Sequence, residues 1–435
     1  MKHFSTSISL AVAYLRDNRL ATALNILLLS LGVGTIIALV LLLAQAEERM
    51  ERDSAGIDLV IGAKGSPMQL ILSSVFHVDV PTGNVRLGDA QQIIAEPAVK
   101  RAVPLALGDS IRSFRIVGTN PDYMDLYGAK LSAGRIWDKP LEAVLGADAA
   151  RLAGLKLGDS FAGTHGLSEA GGHAHEDHKY VVVGVLAPTG AVIDRLVLTS
   201  VASVWKVHDH GPPAASANAE PKKGSAKNHA GHDHHEGHDH DHAGHDHDSH
   251  DHDSAKEVTA YLIQYATPLA AVSFPRLVNS SSTMQAASPA LETARLFQLV
   301  GVGVDALKGF AVIMMLCAAL GIFIGLMSAL DERRADLALL RVLGAPPAVV
   351  VLTTLLQGLM LGVLGVILGL ALGHLGAEWV GQAYAASQRV AIGGRIWVSE
   401  EWLIVASALG LAFLASLVPA WRAYREATPE LLARR

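Results

Sequence analysis

Residues 21–44 read ATALNILLLSLGVGTIIALVLLLA and contain no charged side chain. A helix needs about 20 such residues to cross about 30 Å of hydrocarbon, so this stretch is long enough to span a bilayer. Three further runs of the same kind follow at Phe310 to Leu330, Val349 to Leu375 and Trp402 to Ala420. A chain of 435 residues would by length alone hold about three soluble domains. Its composition excludes that: 51% of residues are apolar, only 17% are charged, and the mean hydropathy is +0.33. The fold class expected is therefore a membrane α-helical protein with four transmembrane helices, one before and three after a large segment of about residues 46–300. The reading is a membrane-anchored domain and not a compact channel.

Ala44-Gln45-Ala46 fits the small-x-small cleavage site of a secretory signal. The apolar run before it exceeds the 7–15 residues of a signal core and follows some twenty residues of amphipathic sequence, so it is read as a retained helix. The only cysteine, Cys317, falls inside the second run, which leaves no disulfide framework to hold the outer segment.

The net charge of −6 hides a segregation of charge along the chain. Lys2, Arg16 and Arg19 precede the first run; Arg333, Arg334 and Arg341 lie between the second and third; Arg422, Arg425, Arg434 and Arg435 follow the fourth. The connection between the third and fourth carries only Arg389 and Arg395 against Glu378, Glu400 and Glu401. The positive-inside bias puts both termini and the second connection in the cytoplasm, and the large segment outside. The expected organisation is a cytoplasmic amphipathic helix over 1–20, spans over 21–45, 301–330 with a stalk, 348–376 and 402–420, a cytoplasmic helix over 331–347, an outer loop over 377–401 and a cytoplasmic tail over 421–435. No nucleic-acid partner is expected; the lipid bilayer is.

Within the outer segment, Ile57 to Ile61, Phe114 to Val117, Tyr180 to Leu186, Leu196 to Val201 and Val258 to Tyr265 read as strands between Gly and Pro turns. Asp148 to Leu155 reads as a short helix ending near Gly158, giving a mixed α/β domain. From about 208 to 256 the composition collapses to His, Asp, Gly, Ala and Ser, too polar to bury a core and expected to be disordered without ligand. This is a long insertion in one folded domain, tolerable because loop-closure cost rises slowly with length.

The run Asp331-Glu332-Arg333-Arg334-Ala335-Asp336-Leu337-Ala338-Leu339-Leu340-Arg341-Val342-Leu343-Gly344-Ala345 is amphipathic and stopped by Gly344, Pro346 and Pro347. On its residues alone, a membrane-surface helix and a docking helix for a cytoplasmic partner stay equally open. Lying after one span and before a Gly-rich one, it resembles the FtsX-like permease signature. Pro419-Ala420-Trp421-Arg422-Ala423-Tyr424-Arg425 followed by Pro429-Glu430-Leu431-Leu432 is similar to that family's ending. Val144-Leu145-Gly146-Ala147, Leu157-Gly158-Asp159 and Val183-Gly184-Val185-Leu186 resemble the outer domain of MacB-type members. The resemblance implies a periplasmic domain of MacB core type, location in the inner membrane, a permease homodimer, and a cytoplasmic ABC ATPase subunit contacted through Glu332, Arg333, Arg334, Leu337, Leu340, Arg341 and Gly344. It further implies that ATP-driven closure moves the outer domains without substrate necessarily crossing the bilayer. The chain itself holds no G-x-x-x-x-G-K-S/T loop, so ATP enters through the partner subunit, and no intrinsic cofactor or enzymatic activity is expected. Gly62-Ala63-Lys64-Gly65-Ser66-Pro67 lacks that spacing and reads as a turn; the segment onward to Asn84, through His77, is a candidate cap or hinge.

Residues 229–252 hold eleven histidines interleaved with aspartate: His229, His232, His234, His235, His238, His240, His242, His245, His247, His250 and His252. Imidazole suits Zn, Cu, Ni and Co, and neighbouring carboxylates can ligate or fix a tautomer, so the tract is expected to bind divalent metal at several shifting sites. Zinc is the expected ion, although affinity alone ranks copper higher. The plainer alternative is a solvated acidic linker. His173, His175 and His178 form a second candidate cluster, for which a polar turn is an equal alternative. Neither His235-Glu236-Gly237-His238 nor His175-Glu176-Asp177-His178 has the H-E-x-x-H spacing of a metallopeptidase, and no G-x-S-x-G elbow occurs. His374, near the outer end of the third run, reads as an interfacial residue.

Three readings remain open at this stage: an ATP-driven permease for divalent metal, with an extracytoplasmic metal-binding or substrate-delivery protein as partner; a mechanotransmission permease for lipoprotein, peptide or drug with the tract as metal buffer; and a scaffold that activates an extracytoplasmic enzyme.

Overall fold

The computed structural model describes residues 2–165, 174–208, 256–332, 346–388 and 393–425. The chain divides into two compact units, Met1–Glu51 with Ala294–Arg435, and Arg52–Thr293. In chain order the first unit opens with α1 (Lys2–Asp17) and α2 (Arg19–Ser54). The second contains β1 (Leu59–Ala63), α3 (Pro67–Ser74), β2 (Val85–Arg86), α4 (Leu87–Ile94), β3 (Val99–Ile111), β4 (Phe114–Thr119), α5 (Asp122–Leu126), β5 (Leu131–Gly134), β6 (Glu142–Leu145) and α6 (Ala147–Ala153). It continues with β7 (Ser160–His165), β8 (Ala174–Leu186), a 3-10 turn at Val192–Arg195, β9 (Val197–Ser200), α7 (Val201–His208), β10 (Glu257–Val258), β11 (Ala260–Tyr265), α8 (Ala270–Ser281) and β12 (Met284–Ala287). The helices α9 (Pro289–Glu332), α10 (Pro347–Gln388) and α11 (Glu400–Arg425) follow.

Among the described residues, four helices are long and apolar enough to cross a membrane: Arg19–Ser54, Pro289–Glu332, Ala348–Ala383 and Glu400–Arg425. Large apolar side chains such as Phe310, Leu320, Ile324, Ile367, Leu403 and Leu414 face outward from them, as a lipid solvent permits. What they bury is narrower. Leu29, Val33, Ile37 and Leu41 recur every fourth residue on α2, so they form one stripe, and all four are buried. Opposite them, Gly365, Gly369 and Gly373 of α10 recur at the same spacing. A Cβ added at these glycines would stand 2.7 Å from Leu29 Cδ2, from Val33 Cβ and from Ile37 Cγ2 respectively. The stripe therefore lies in a groove floored by bare backbone, and Gly34 of α2 returns the approach, its own Cβ position being 3.0 Å from the Gly369 carbonyl. On the other side of α10, Gly358 and Gly362 stand in the same relation to Ser416 and Ala412 of α11.

The outer unit is a mixed α/β domain built on a ten-stranded sheet in the order β12-β1-β11-β3-β4-β9-β6-β8-β5, with β7 bridging β3 and β8. Pairing is antiparallel except for β4 with β9 and β6 with β8. Two cores lie along it. Leu59, Ile61, Tyr261, Ile263, Phe274 and Val278 fill one, under α8; Phe114, Ile116, Leu145, Phe161, Tyr180 and Val182 fill the other, under α6. The short helix α6 ends at Ala153, two residues before the Leu155 that the sequence suggests: Gly154 takes the left-handed conformation, φ +66°, and its N–H caps the Ala150 carbonyl. The helix α8 is absent from the sequence reading, because Pro275 and three serines mask its apolar face. Similarly, α10 is helical as far as Gln388, where an outer loop is expected from 377.

The groove yields a test. Gly369→Val should lower the thermal midpoint of the detergent-solubilised protein, by overpacking worth about 1–3 kcal/mol. Gly376→Ala, where an added Cβ meets nothing within 4 Å, should leave it unchanged or raise it, since Ala favours helix. Equal midpoints for the two variants would remove the groove from the account.

Candidate functional site

Of the residues expected to act, the eleven tract histidines, His173 and the coupling residues Arg333, Arg334, Leu337, Leu340, Arg341 and Gly344 lie outside the described residues. Glu332 closes α9; His175 and His178 fall on β8. Among the described residues no group of three or more His, Cys, Asp or Glu side chains could hold a metal ion.

The structure does define the mouth from which the tract departs. The chain leaves the outer domain at His208, the last residue of α7, and returns at β10, which pairs with β2. Trp205 Nε1 donates to the Glu257 carbonyl at 2.6 Å, and Lys256 Nζ lies 5.5 Å over the same indole, so departing and returning strands are tied side by side. At the departing end, His208 Nδ1 is 2.8 Å from the Val204 carbonyl and Nε2 is 3.5 Å from Asp109 Oδ1. Its side-chain contact with Asp109 raises the His208 imidazole above its ordinary value, with burial opposing. Tyr180, on β8, has a buried hydroxyl with no hydrogen-bond partner among the described residues; burial first and Asp109 second push its ionisation upward.

The segment from Gly62 to Asn84 folds into the same domain. Ser66 caps α3 by accepting from the Gln69 N–H, with Pro67 at the first helical position. Beyond that helix His77 adopts φ +56° and is buried, its Nε2 3.0 Å from the Tyr123 hydroxyl. Tyr123 and Tyr127 meet edge to face, and Tyr127 donates to the Asp53 carbonyl at 2.9 Å. Asp53 accepts from Val192 N–H at 2.6 Å and lies 3.8 Å from Arg195. Arg115 donates to the carbonyls of Ser73 and Asp79, and burial pulls its guanidinium down to about 10 despite Asp79. The expected cap or hinge is thus a buried polar knot joining α3, β4, α5 and the 3-10 turn. Sequence reasoning could not find it, because its members are spread over residues 53 to 195.

In the membrane unit, His374 of α10 contacts Glu401 of α11, Nε2 to Oε2 3.1 Å, while its Nδ1 lies 2.6 Å from the Gly394 carbonyl. Glu401 is fully buried, 0% exposed, and its second oxygen accepts the Val398 N–H at 3.0 Å. The loop between them is also held by Gln45 of α2, which exchanges two hydrogen bonds with Gly393. His374 is therefore a structural clasp between α10 and α11. At the opposite end, a shallow cleft between α1, α9 and α10 is lined by Tyr14, Leu326, Leu330, Val350, Thr353 and Gln357, next to the point where α10 begins.

Two family models match the chain: the FtsX-like permease C-terminal over residues 308–428, and the MacB-like periplasmic core domain over residues 22–228. Among solved structures it is similar to the periplasmic region of MacB from Actinobacillus actinomycetemcomitans, with 12% identity, 57% of this chain and 95% of that chain covered, and a TM-score of 0.32. It is also similar to the extracellular domain of the noncanonic ABC-type transporter YknZ from Gram-positive bacteria, with 12% identity, 53% and 98% covered, and a TM-score of 0.29. No curated protein matches.

The buried histidine predicts a pH dependence. Burial, then Arg115 and Arg195, hold His77 well below its ordinary value. Below about pH 6.5 the unfolded chain takes up a proton that the folded domain refuses, so stability is full above that pH and falls by up to about 1.4 kcal/mol per unit beneath it. His77→Asn, which tolerates the left-handed backbone, should flatten this slope by one proton in pulse proteolysis of the outer domain between pH 5.0 and 7.5. An unchanged slope would show that His77 does not carry it.

Proposed function

For a chain that belongs to the FtsX/MacB-type permease family of ABC transporters, we propose an ATP-driven role in handling divalent metal, zinc in the first instance, at the outer face of the inner membrane. The observation that carries this reading is the run of eleven histidines in residues 229–252, inserted into a MacB-type outer domain at a mouth tied shut by Trp205 and Glu257. A MacB-type domain does not need such a segment to complete its sheet: β11 continues the β1–β3 neighbourhood as soon as the chain returns. The tract is therefore free to serve chemistry, and imidazole with carboxylate at short spacing is the chemistry of exchangeable transition-metal binding.

Permeases of this family work with a cytoplasmic ATPase. In this chain the ATPase docks on residues 331–344, with Leu337 and Leu340 as the apolar contact and Glu332, Arg333, Arg334 and Arg341 as its charged rim. Both termini and this segment face the cytoplasm, two copies of the chain pair, and closure on ATP moves the outer domains. An outer metal-delivery or substrate-delivery protein would meet the tract there.

Deleting residues 229–252 should leave assembly with the ATPase intact, remove several bound zinc ions per chain in equilibrium dialysis at pH 7.5, and slow growth only when zinc is scarce or in excess. Binding should also weaken steeply toward pH 5.5, as imidazoles of ordinary pKa near about 6.5 become charged. Equal zinc binding with and without the tract would reduce it to a linker. Separately, Leu340→Asp should abolish stimulated ATPase activity in the reconstituted complex while the permease stays folded, because it places a charge in an apolar contact; normal coupling would withdraw the docking assignment.

A further inference from the structure

We propose that a second copy of this chain packs along the outward face of α9, so that two parallel α9 helices form a coiled-coil seam running from the apolar part of the helix into its charged first part. The inference rests on the pairing of two copies put forward above and assigns that pairing a surface. The helix is 44 residues long and so extends about 66 Å, more than twice the roughly 30 Å of a hydrocarbon core. Residues 309–330 carry no charged side chain and are long enough by themselves to span. Residues 289–308 hold Glu292, Arg295, Asp305 and Lys308, so this first part projects into water.

From Leu299, alternating steps of three and four residues reach Val302, Ala306, Gly309, Ile313, Leu316 and Leu320. That is the a/d repeat of a coiled coil, and its period of 3.5 sets a left-handed supercoil. Every one of these residues is exposed in the single chain. On the opposite side of the helix, at the f positions of the same heptads, Val304, Ala311 and Ala318 are buried. Ala318 belongs there to the core shared with Leu29 and Val33 of α2. One face of α9 thus serves its own bundle, and a second face, of coiled-coil period, lies open.

Lipid accounts for the exposure of Ile313, Leu316 and Leu320. It does not account for Leu299 and Val302, each 74% exposed in the part of α9 that carries charge. Covering apolar surface left in water is favourable by about 25 cal/mol per Å². A partner that covers the whole stripe must itself pass from hydrocarbon into water over the same length. The α9 of a second copy, related by a twofold axis, does so and sets each seam residue beside its own counterpart. The seam is narrowest in bulk at Ala306 and Gly309, where small residues let two backbones approach. A Cβ added at Gly309 meets nothing within 4 Å in its own chain, so packing inside the protomer does not call for a glycine there. Asp305, which flanks the seam, is paired with Lys308 of its own helix at 3.7 Å, so closing the seam brings no unpaired like charges together.

The test is disulfide trapping of the full chain in its membrane, in a Cys317→Ser background that removes the only cysteine. Leu299→Cys, Val302→Cys, Ile313→Cys and Leu320→Cys should each give at least fivefold more covalent dimer with copper phenanthroline than Val300→Cys and Leu307→Cys, which are exposed but lie off the seam. Gly309→Leu, which fills the close point of the seam, should weaken self-association of labelled chains at least tenfold in energy transfer while the protomer keeps its thermal midpoint. Equal trapping on and off the seam, or unweakened association of the Gly309 variant, overturns this face and leaves the pairing of copies standing. A monomeric mass for the intact chain in lipid nanodiscs overturns both.

Discussion

The row of glycines on α10 is the constraint on which the membrane half depends. Lipid tails are as apolar as leucine, so helices in a bilayer gain nothing from merely hiding apolar side chains from one another; they associate by close packing. At Gly365, Gly369 and Gly373 the α10 backbone is bare, and Leu29, Val33 and Ile37 fill the space that three side chains would have taken. The first helix and the later ones are separated by some 250 residues of outer domain, so no short loop holds them in register. The groove does this instead. Its four-residue period matches that of the stripe, which means that slipping one helix along the other by a single residue would lose all three contacts together. Because Gly358 and Gly362 give α10 a second close face toward α11, one helix organises both its neighbours.

The outer domain solves a different problem, that of carrying a long polar insertion without losing its sheet. The cost of closing a loop grows only with the logarithm of its length, so the number of inserted residues matters less than how firmly its ends are held. Here they are held twice: by the β2–β10 pairing, and by the Trp205 side chain, which reaches the backbone at Glu257 and lies under Lys256. The strand that follows, β11, pairs along its length with β1 and β3 in the middle of the sheet. An insertion at this place can vary in length and composition while the core beneath α8 stays as it is.

How much of this was legible follows from the range of each interaction. The apolar runs and the motifs at Val144–Ala147 and Val183–Leu186 depend on neighbouring residues, and the family and mixed α/β class could be read from them. Strands β1, β4, β9 and β11 were readable to within a few residues for the same reason, whereas the long β3 and the short β5, β7 and β12 were not read from the sequence. Helix α8 was not, since its burial of Phe274 and Val278 against β1 and β11 outweighs a local sequence rich in serine and interrupted by proline. The glycine row was visible as a composition but became a groove only when α2 was laid into it. For the candidate site the limit was sharper. The tract advertises itself by repetition, whereas Asp109 reads as one more acidic residue in a strand, and its relation to His208 exists only because β3 and α7 pack together. The coupling residues 333–345 and the tract lie outside the described residues, so their readings stand on sequence and family.

The His374–Glu401 clasp shows how a buried carboxyl group can be sustained at the end of an apolar helix bundle. Glu401 sits in the first turn of α11, where the helix dipole favours negative charge, and its Oε1 accepts the N–H of Val398 in the segment just before the helix. His374 donates its Nδ1 proton to the Gly394 carbonyl while its Nε2 meets Glu401 Oε2 at 3.1 Å, and the neighbouring Gly393 exchanges two hydrogen bonds with Gln45, so the loop is tied to α2, α10 and α11 together. A Cβ at Gly394 would collide with the His374 carbonyl, so the loop lies flush on α10. The clasp thus closes, with polar contacts, the end of the groove beyond Gly373 that the glycines open.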